Sequence, residues 1–209
     1  MTLCYVTDRK ALPGPPEEQM RLLLEKIDGV ARAGVDWMQI REKDLDARRL
    51  AALVEEAKSR AGRGCRVLVN DRLDVALLAG ADGAHLGERS LPLVEACRFV
   101  RERSVGKPFL LGVSTHGVKF VQEAQANGAD YAIFGPVFAT PSKLQYGPPK
   151  GLEQLAAACK SVSIPVLAIG GISLENAREC VEAGAAGIAA IRLFQDADLV
   201  ETVRGLRAK

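Results

Sequence analysis

Three polar side chains, Gln39, Arg41 and Lys43, alternate at a spacing of two residues at the end of an apolar run. Side chains of an extended strand alternate between its two faces, so this spacing predicts that all three project to the same side of a strand end. Two cations and an amide that converge suit a phosphate or diphosphate group. The alternative is a solvated strand end in which Glu42 and Asp44 form salt bridges with the cations.

A second candidate for anion binding is the pair Gly170-Gly171, which follows an apolar run and precedes a helix start expected at Ser173. Backbone N–H groups without side chains can approach phosphate oxygens, and a helix N-terminus favours negative charge. Arg192, at the end of the next apolar run, adds a positive charge. The alternative is that the two glycines only form a tight turn.

Two further strand ends carry groups that could take part in catalysis. Asn70-Asp71 offers oxygen ligands that Mg²⁺ accepts together with a diphosphate, but Asp71 could equally cap the helix that follows. His116 lies where a general acid–base would act, or else it caps the next helix or bridges to a neighbour. His85 lies within an apolar run and is interpreted as structural.

The segment 135–150 is longer than a typical connection and is rich in glycine and proline. A long loop beside an active site is usually a lid or a binding loop. Its ligand groups are predicted to be Thr140, Ser142 and Lys143.

The elements that position these residues follow from a pattern that occurs four times: a glycine, a few small or acidic residues, and an apolar run. Glycine accepts the left-handed conformation that ends a helix, after which the chain enters a buried strand. The copies lie 46, 48 and 56 residues apart, a spacing that fits two strand–helix units each. The copies are 33–41, 79–87, 127–135 and 183–191, and four further apolar runs lie at 3–7, 66–70, 109–113 and 165–169.

Helical periodicity fills the intervals, most clearly at 17–33 and 46–60, with helix starts marked by Asp46 and Pro92. Eight apolar strands that alternate with helices predict an α/β protein, a (β/α)8 TIM barrel that forms a single domain over 1–209. A doubly wound open sheet is the alternative, because periodicity does not show closure. In a barrel, the carboxyl ends of all strands meet at one mouth, where the polar residues above would converge.

Composition excludes several classes of protein. Lys and Arg number 28 against 26 Asp and Glu, and the net charge of +2 argues against a nucleic-acid partner. No apolar run approaches the roughly 18 residues that span a bilayer, and the N-terminus lacks a signal-peptide pattern. The five scattered cysteines predict neither a disulfide framework nor a zinc site. We therefore expect a cytoplasmic protein with small-molecule partners. A homodimer is compatible with the fold, although no apolar stripe identifies an interface.

The motifs, in their order, resemble those of the thiamine-phosphate synthase and TenI superfamily over essentially the whole chain. They are YVTD (5–8), QIREKD (39–44), VNDR (69–72), ADGAHLG (81–87), GVSTH (112–116), DYAIFGPVFATPSK (130–143) and AIGGIS (168–173). The resemblance implies a (β/α)8 barrel. Its synthase branch joins hydroxymethylpyrimidine diphosphate to thiazole phosphate and releases diphosphate with the help of Mg²⁺.

The resemblance also implies roles for individual residues. The pyrimidine diphosphate would be held by Gln39, Arg41, Lys43, Asn70, Ser114 and Lys143, of which Arg41, Ser114 and Lys143 would act in catalysis. Asp71 would bind Mg²⁺. The thiazole phosphate would contact Thr140, Ser142, Gly171 with its neighbour Gly170, Ile191 and Arg192.

Three departures from the synthase pattern leave the branch open. Ser90 stands where a second metal-binding aspartate is usual, with Glu88 close by but out of register. The loop reads Thr-Pro-Ser-Lys where Thr-x-Thr-Lys is commoner, and Arg192 stands where serine is usual. The synthase is favoured. The alternatives are a metal-free TenI-type thiazole tautomerase with His116 as its acid–base, and a non-catalytic regulator that binds thiazole phosphate.

Overall fold

Eight parallel strands close into a barrel in the structure, a computed structural model that describes residues 1–103, 108–140, 148–195 and 198–208. Each strand pairs with the next along the chain, and the last pairs with the first through Thr2↔Gly187 to Tyr5↔Ala190. The predicted barrel is confirmed, and the open-sheet alternative is wrong. The strands are β1 (Thr2–Val6), β2 (Trp37–Ile40), β3 (Arg66–Asn70), β4 (Gly83–Leu86), β5 (Leu110–Thr115), β6 (Tyr131–Phe134), β7 (Val166–Ile169) and β8 (Gly187–Ala190).

Helices surround the barrel and alternate with its strands. In chain order they are α1 (Pro16–Ala33), α2 (Ala47–Ala61), α3 (Leu73–Leu78), α4 (Leu93–Arg103), α5 (Val118–Ala126), α6 (Gly151–Lys160), α7 (Ala177–Glu182), α8 (Arg192–Gln195) and α9 (Leu199–Arg207). A short 3-10 helix, Arg9–Ala11, precedes α1. Helices α1 and α2 confirm the periodicity seen at 17–33 and 46–60.

Local signals explain where these helices begin and end. Helix α1 begins at Pro16, whose missing N–H would have no partner in the first turn, and ends at Gly34 with φ of 87° in the left-handed region. Helix α2 is capped by Asp46, whose carboxylate accepts a hydrogen bond of 2.9 Å from the Arg49 amide. The glycines of the other three copies, Gly80, Gly128 and Gly184, also have positive φ, as predicted.

The core has two layers. One lies between the strands and the helices, and buries the helix faces that show the 3.6-residue period. The other fills the interior of the barrel with side chains from several strands: Cys4, Val6, Leu68, Tyr131, Ile133, Leu167 and Ala189. Because both faces of each strand are buried, the strands appear in the sequence as continuous apolar runs.

The helix start expected at Ser173 is wrong, because α7 begins at Ala177. The Ser173 hydroxyl donates to Glu175 at 2.5 Å, and the Ser173 amide donates to the side chain of Asn176 at 2.8 Å. These local bonds hold a turn before the helix, and a serine that forms such a turn has the same sequence signature as a cap. Strand β5 extends to Thr115, two residues beyond the apolar run that predicted it.

The cysteines are free thiols, and Cys4, Cys65, Cys97 and Cys180 are buried. They pack as small apolar side chains, as their sequence positions indicate. Within the ranges that the structure describes, no helix combines the length and apolar character that crossing a bilayer requires.

Candidate functional site

Gln39, Asn70 and Asp71 form a connected row at the mouth of the barrel. Gln39 Nε2 donates to Asn70 Oδ1 at 2.8 Å, and Asn70 Nδ2 donates to Asp71 Oδ2 at 2.7 Å. Gln39 is 3% exposed, and its Oε1 is the one buried side-chain polar atom of the described residues that lacks a hydrogen-bond partner. A buried acceptor without a partner is destabilising, so Gln39 Oε1 is available to a hydrogen-bond donor such as a ligand or a water molecule.

Asp71 has φ of 62°, and it is the one residue other than glycine that has positive φ in the described chain. Its Oδ1 accepts hydrogen bonds from the Gly87 amide at 3.1 Å and from the Ser90 hydroxyl. Burial opposes its ionisation, but the bonds from Ser90 and Gly87 and the charge of Lys43 together hold the pKa of its carboxyl below the usual range. Asp71 is therefore an anion, and it lines a cleft at this end of the barrel. It does not cap α3, whose N-cap position is Arg72.

No second carboxylate joins Asp71 among the described residues, which contain no group of three histidine, cysteine, aspartate or glutamate side chains able to hold a metal. Glu88 does not take that place, because it is largely exposed and its Oε1 lies 3.5 Å from His116 Nε2. Ser90 contributes a hydroxyl instead. A cleft of about 280 Å³ beside Asp71 is lined by Glu42, Lys43, Leu45, Leu50, Asn70 and Arg72.

Strand β2 ends at Ile40, so Gln39 lies within the strand and Arg41 and Lys43 follow it. The two-residue alternation therefore does not by itself place the three side chains together. Arg41 is held through its backbone, whose amide donates to Thr7 Oγ1 at 2.8 Å. Lys43 is close enough to Asp71 for its charge to lower the pKa of that carboxyl.

The acidic residues beside these cations are paired with Arg9, so the salt-bridge alternative for Arg41 and Lys43 is wrong. Arg9 Nη1 lies 2.9 Å from Glu42 Oε2 and 2.6 Å from Asp44 Oδ1, and Arg9 is 7% exposed. Burial raises the pKa of the Glu42 carboxyl, an effect that the hydrogen bonds from Thr7 and Arg9 oppose.

The residues predicted from the sequence did not include Arg9. Arg9 directly follows the Thr7-Asp8 strand end, and this position is the one feature of the sequence that could have indicated its role.

Ser114 lies at the mouth end of β5, and its hydroxyl is 2.9 Å from His85 Nε2. His85 is 2% exposed, as the structural interpretation expects, and burial lowers its pKa to about 4 against the opposing charge of Asp71. Its Nδ1 is 3.1 Å from the Tyr131 hydroxyl inside the barrel. The link from His85 to a site residue, and the role of Tyr131, are not visible in the sequence.

His116 bridges two neighbouring loops. Its Nδ1 is hydrogen-bonded to the carbonyl oxygen of Gly135, and its Nε2 faces Glu88. The N-cap of α5 is Gly117 without a side-chain bond, so the capping alternative is wrong and the bridging one is confirmed. With Nδ1 held by a carbonyl, which can only accept, Nε2 is the nitrogen that can exchange a proton.

The groups predicted to bind a second phosphate converge on the opposite side of the mouth. Arg192 Nη2 donates to Thr140 Oγ1 at 3.1 Å, although the two residues are 52 positions apart. Ile191 packs against the barrel interior beside them. The predictions for Ser142 and Lys143 fall outside the described residues.

Gly170 and Gly171 have φ of 98° and 65° and lie against the loop after β6. A Cβ on Gly170 would lie 2.5 Å from Pro136 Cβ, and one on Gly171 would lie 2.6 Å from the Ala139 oxygen. Both glycines are thus required for this tight turn, which holds the loop that carries Thr140. The predicted anion site therefore has the exposed backbone of two glycines. It has no helix N-terminus beside it, because α7 begins six residues after Gly171.

Comparison with known proteins identifies the group to which the barrel belongs. The family model described as thiamine monophosphate synthase matches residues 3–194. A protein of Geobacter sulfurreducens is 44% identical over 99% of this chain and 93% of its own length. The thiamine-phosphate synthase of Syntrophomonas wolfei is 38% identical over 96% of this chain and 91% of its own length.

A solved structure is also similar. The thiamine phosphate pyrophosphorylase from Pyrococcus furiosus superimposes with a TM-score of 0.84 at 30% identity and covers 99% of this chain and 94% of that chain. A 3-hexulose-6-phosphate synthase shares the fold at 21% identity, with a TM-score of 0.73. By sequence and by structure, this chain belongs to the thiamine monophosphate synthase family.

Proposed function

We propose that this chain is a thiamine-phosphate synthase. It joins 4-amino-2-methyl-5-hydroxymethylpyrimidine diphosphate to 4-methyl-5-hydroxyethylthiazole phosphate or its carboxylate, forms thiamine phosphate and releases diphosphate. The names of the Syntrophomonas wolfei relative and of the Pyrococcus furiosus structure support this reaction.

The observation that carries the proposal is the unpartnered Oε1 of Gln39. An amide oxygen only accepts hydrogen bonds, so the missing partner is a donor. The exocyclic amino group of the aminopyrimidine is such a donor, and Asn70 holds the other end of the Gln39 amide in place. The ring would then lie over β2 and β3, beside Asp71.

The diphosphate would extend from the ring toward Arg41, Lys43 and Ser114, with Lys143 from the loop after β6 as a further cation. Cations and hydroxyl donors suit phosphate oxygens, and Arg can bind two of them at once. The thiazole phosphate would occupy the opposite side of the mouth, where Arg192 and Thr140 meet. Two anion sites on one mouth are what the joining of two phosphorylated substrates requires.

The residues at Asp71 fit a Mg²⁺ ion that is shared with the substrate. Mg²⁺ is commonly held by one or two carboxylates together with phosphate oxygens and water. Asp71 supplies one carboxylate that is ionised at neutral pH, and the Ser90 hydroxyl and Asn70 amide on its oxygens orient it. When bound, the ion neutralises negative charge on the diphosphate.

The protein promotes this reaction by stabilising the charges that develop on the diphosphate and on the pyrimidine. The carbon–oxygen bond between the pyrimidine methylene and the diphosphate breaks, and the thiazole nitrogen attacks the resulting cation. Arg41, Lys43 and Ser114 stabilise the leaving diphosphate. By accepting from the amino group, Gln39 Oε1 strengthens electron donation into the pyrimidine ring. The apolar barrel interior below the site keeps water from competing with the thiazole.

The position of His116 favours a second candidate, the thiazole tautomerase. Its Nδ1 is fixed by Gly135, which leaves Nε2 as a proton-exchanging nitrogen beside Glu88. That reaction moves a proton without a metal, so the single carboxylate at Asp71 would not limit it.

The test is to incubate the protein with both substrates and measure diphosphate and thiamine phosphate, with Mg²⁺ and with a chelator. Equal amounts of the two products, lost on chelation, support the synthase. No release under either condition contradicts it. Isomerisation of thiazole carboxylate phosphate without Mg²⁺ would then identify the tautomerase, and tight binding of thiazole phosphate with no turnover would identify a regulator.

A further inference from the structure

Three polar side chains form a row that runs from the barrel interior to the mouth. The Tyr131 hydroxyl lies 3.1 Å from His85 Nδ1, and His85 Nε2 lies 2.9 Å from the Ser114 hydroxyl. Tyr131 is 1% exposed and His85 is 2% exposed, whereas Ser114 is partly exposed. The row therefore connects a site residue to groups that no substrate can reach.

The barrel is built to accommodate this row. A Cβ on Gly112 would lie 1.9 Å from Tyr131 Cζ, so the glycine leaves the space that the phenol ring occupies. Trp37 packs against the same ring in an edge-to-face arrangement, with centroids 4.8 Å apart. The close approach of Gly112 and the contact with Trp37 restrict the position of the Tyr131 ring beside the imidazole.

The hydrogen bonds that join Tyr131, His85 and Ser114 can run in only two directions. A neutral imidazole carries one N–H, so His85 donates at one nitrogen and accepts at the other. If Nδ1–H donated to Tyr131, the phenol proton would need another acceptor, and His85 is the one hydrogen-bond partner of that hydroxyl within the described ranges. A buried donor without an acceptor is unfavourable. Tyr131 therefore donates to Nδ1, and the imidazole proton lies on Nε2.

This direction determines what Ser114 presents to a substrate. His85 Nε2–H donates to Ser114 Oγ, so the serine proton is not used inside the barrel and is free to point into the mouth. In the opposite direction the serine proton would point at the imidazole, and only lone pairs would face the mouth. An anionic oxygen is attracted by the first arrangement and repelled by the second.

We infer that Tyr131 and His85 are positioning residues that hold Ser114 as a hydrogen-bond donor for an anionic oxygen of the substrate diphosphate. The identity of that anion rests on the proposed function. The direction of the row does not, because it follows from the buried side chains alone. Neither Tyr131 nor His85 contacts the reacting atoms.

The direction can be read by nitrogen NMR on protein labelled at its two histidines, His85 and His116. In the unliganded protein near neutral pH, His85 is expected to show a protonated Nε2 and an unprotonated Nδ1. The His116→Asn variant assigns the signals by removing one ring. A proton on Nδ1 of His85, or on both nitrogens, would overturn the inference even if the protein makes thiamine phosphate.

Binding of inorganic diphosphate with Mg²⁺, measured by calorimetry, tests the consequence. Tyr131→Phe is expected to raise the Kd about 3- to 10-fold, because the hydrogen bond from Ser114 to the diphosphate is then poorly oriented. In a Ser114→Ala background the same change should have no further effect, since no hydroxyl remains to be oriented. Losses that simply add would contradict the inference.

Tyr5→Phe is the matched control, because Tyr5 is also buried. Its hydroxyl accepts a hydrogen bond of 3.2 Å from Gln195 and is not bonded to His85 or Ser114. This variant should leave the diphosphate Kd unchanged. An equal loss in Tyr5→Phe and Tyr131→Phe would mean that general packing causes the effect, and would overturn the positioning role. If the protein made no thiamine phosphate but showed the expected tautomer, the proposed function alone would fail.

Discussion

Ser90 donates a hydrogen bond to the Asp71 carboxylate and, through its own oxygen, accepts one of 2.7 Å from the Gly87 amide. A neutral hydroxyl thus occupies the place beside Asp71 where a second carboxylate would share a metal ion. Ser90 orients Asp71 but adds no negative charge. If Asp71 holds Mg²⁺ as proposed, the affinity for the ion depends on the charge that the substrate brings.

Ser90→Asp is expected to strengthen Mg²⁺ binding in the presence of inorganic diphosphate by about 10-fold, because the charge count of the ligands sets the affinity. Calorimetric titration with Mg²⁺ measures this change. Ser90→Ala is the control, since it removes the hydroxyl without adding charge and should not strengthen binding. Equal Mg²⁺ affinity in the wild type and Ser90→Asp would contradict the assignment of Asp71 as a metal ligand.

Asp71→Asn should reduce formation of thiamine phosphate at least about 100-fold, because the neutral amide binds Mg²⁺ poorly. Asparagine tolerates the left-handed backbone of this position, so the fold should be kept. The exposed Asp74, which pairs with Arg72, provides the control Asp74→Asn.

His116→Asn should leave synthase turnover nearly unchanged and abolish any tautomerase activity. The reverse pattern would support the tautomerase.

Arg192→Ala should raise the KM for thiazole phosphate about 10-fold or more, since a charge-assisted hydrogen bond to the phosphate is lost. The KM for the pyrimidine diphosphate should change much less, because that substrate is assigned to the other side of the mouth. Steady-state kinetics with each substrate varied in turn makes the comparison. Arg204→Ala on α9, which loses an exposed pair with Glu201, serves as control. Equal changes in both KM values would contradict two separate anion sites.

The Arg9–Asp44 pair should stabilise the protein in a pH-dependent way. Hydrogen bonds from Arg9 hold the pKa of the Asp44 carboxyl well below its usual range. A depressed folded pKa means that the contribution is present above about pH 4 and is lost as the pH falls further. Asp44 is partly exposed, so solvent limits the contribution to about 1 kcal/mol.

Denaturant unfolding of the wild type and Asp44→Asn, compared at pH 7 and below pH 4, measures this contribution. The difference in unfolding free energy should shrink at the lower pH. Burial of Glu42 raises its pKa, but Glu42 is present in both proteins and its contribution largely cancels. A difference that grows as the pH falls would contradict the pairing.

Gly187→Ala should destabilise the barrel by about 1–3 kcal/mol, the usual cost of overpacking. Its Cβ would lie 1.9 Å from the Thr2 oxygen and 2.6 Å from the Thr2 nitrogen, both of them backbone atoms at the β8–β1 pairing. Thermal or denaturant unfolding measures the loss. Gly64→Ala is the control, because a Cβ there would meet nothing within 4 Å. Equal stability of the two variants would contradict the close approach at this seam.

The sequence alone determined the eight strands, the helices between them and most of the strand ends that bear polar residues. These features are local, because the left-handed glycines such as Gly34 and Gly184 and the periodicity of apolar residues act within a few neighbours. The error at Ser173 is local as well, since a turn and a helix cap use the same side chains.

Tertiary structure alone decided closure and the choice of partners. Closure depends on Thr2 meeting Gly187 across nearly the whole chain. Arg9, and neither Arg41 nor Lys43, pairs with Glu42, while Tyr131 reaches His85 from 46 residues away. Each of these partnerships joins residues that are distant in sequence, and the register of the closed barrel sets which of the competing groups are within hydrogen-bond distance. Sequence spacing carries no information about that register, so the chemistry of the mouth could be predicted by residue type but not by partner.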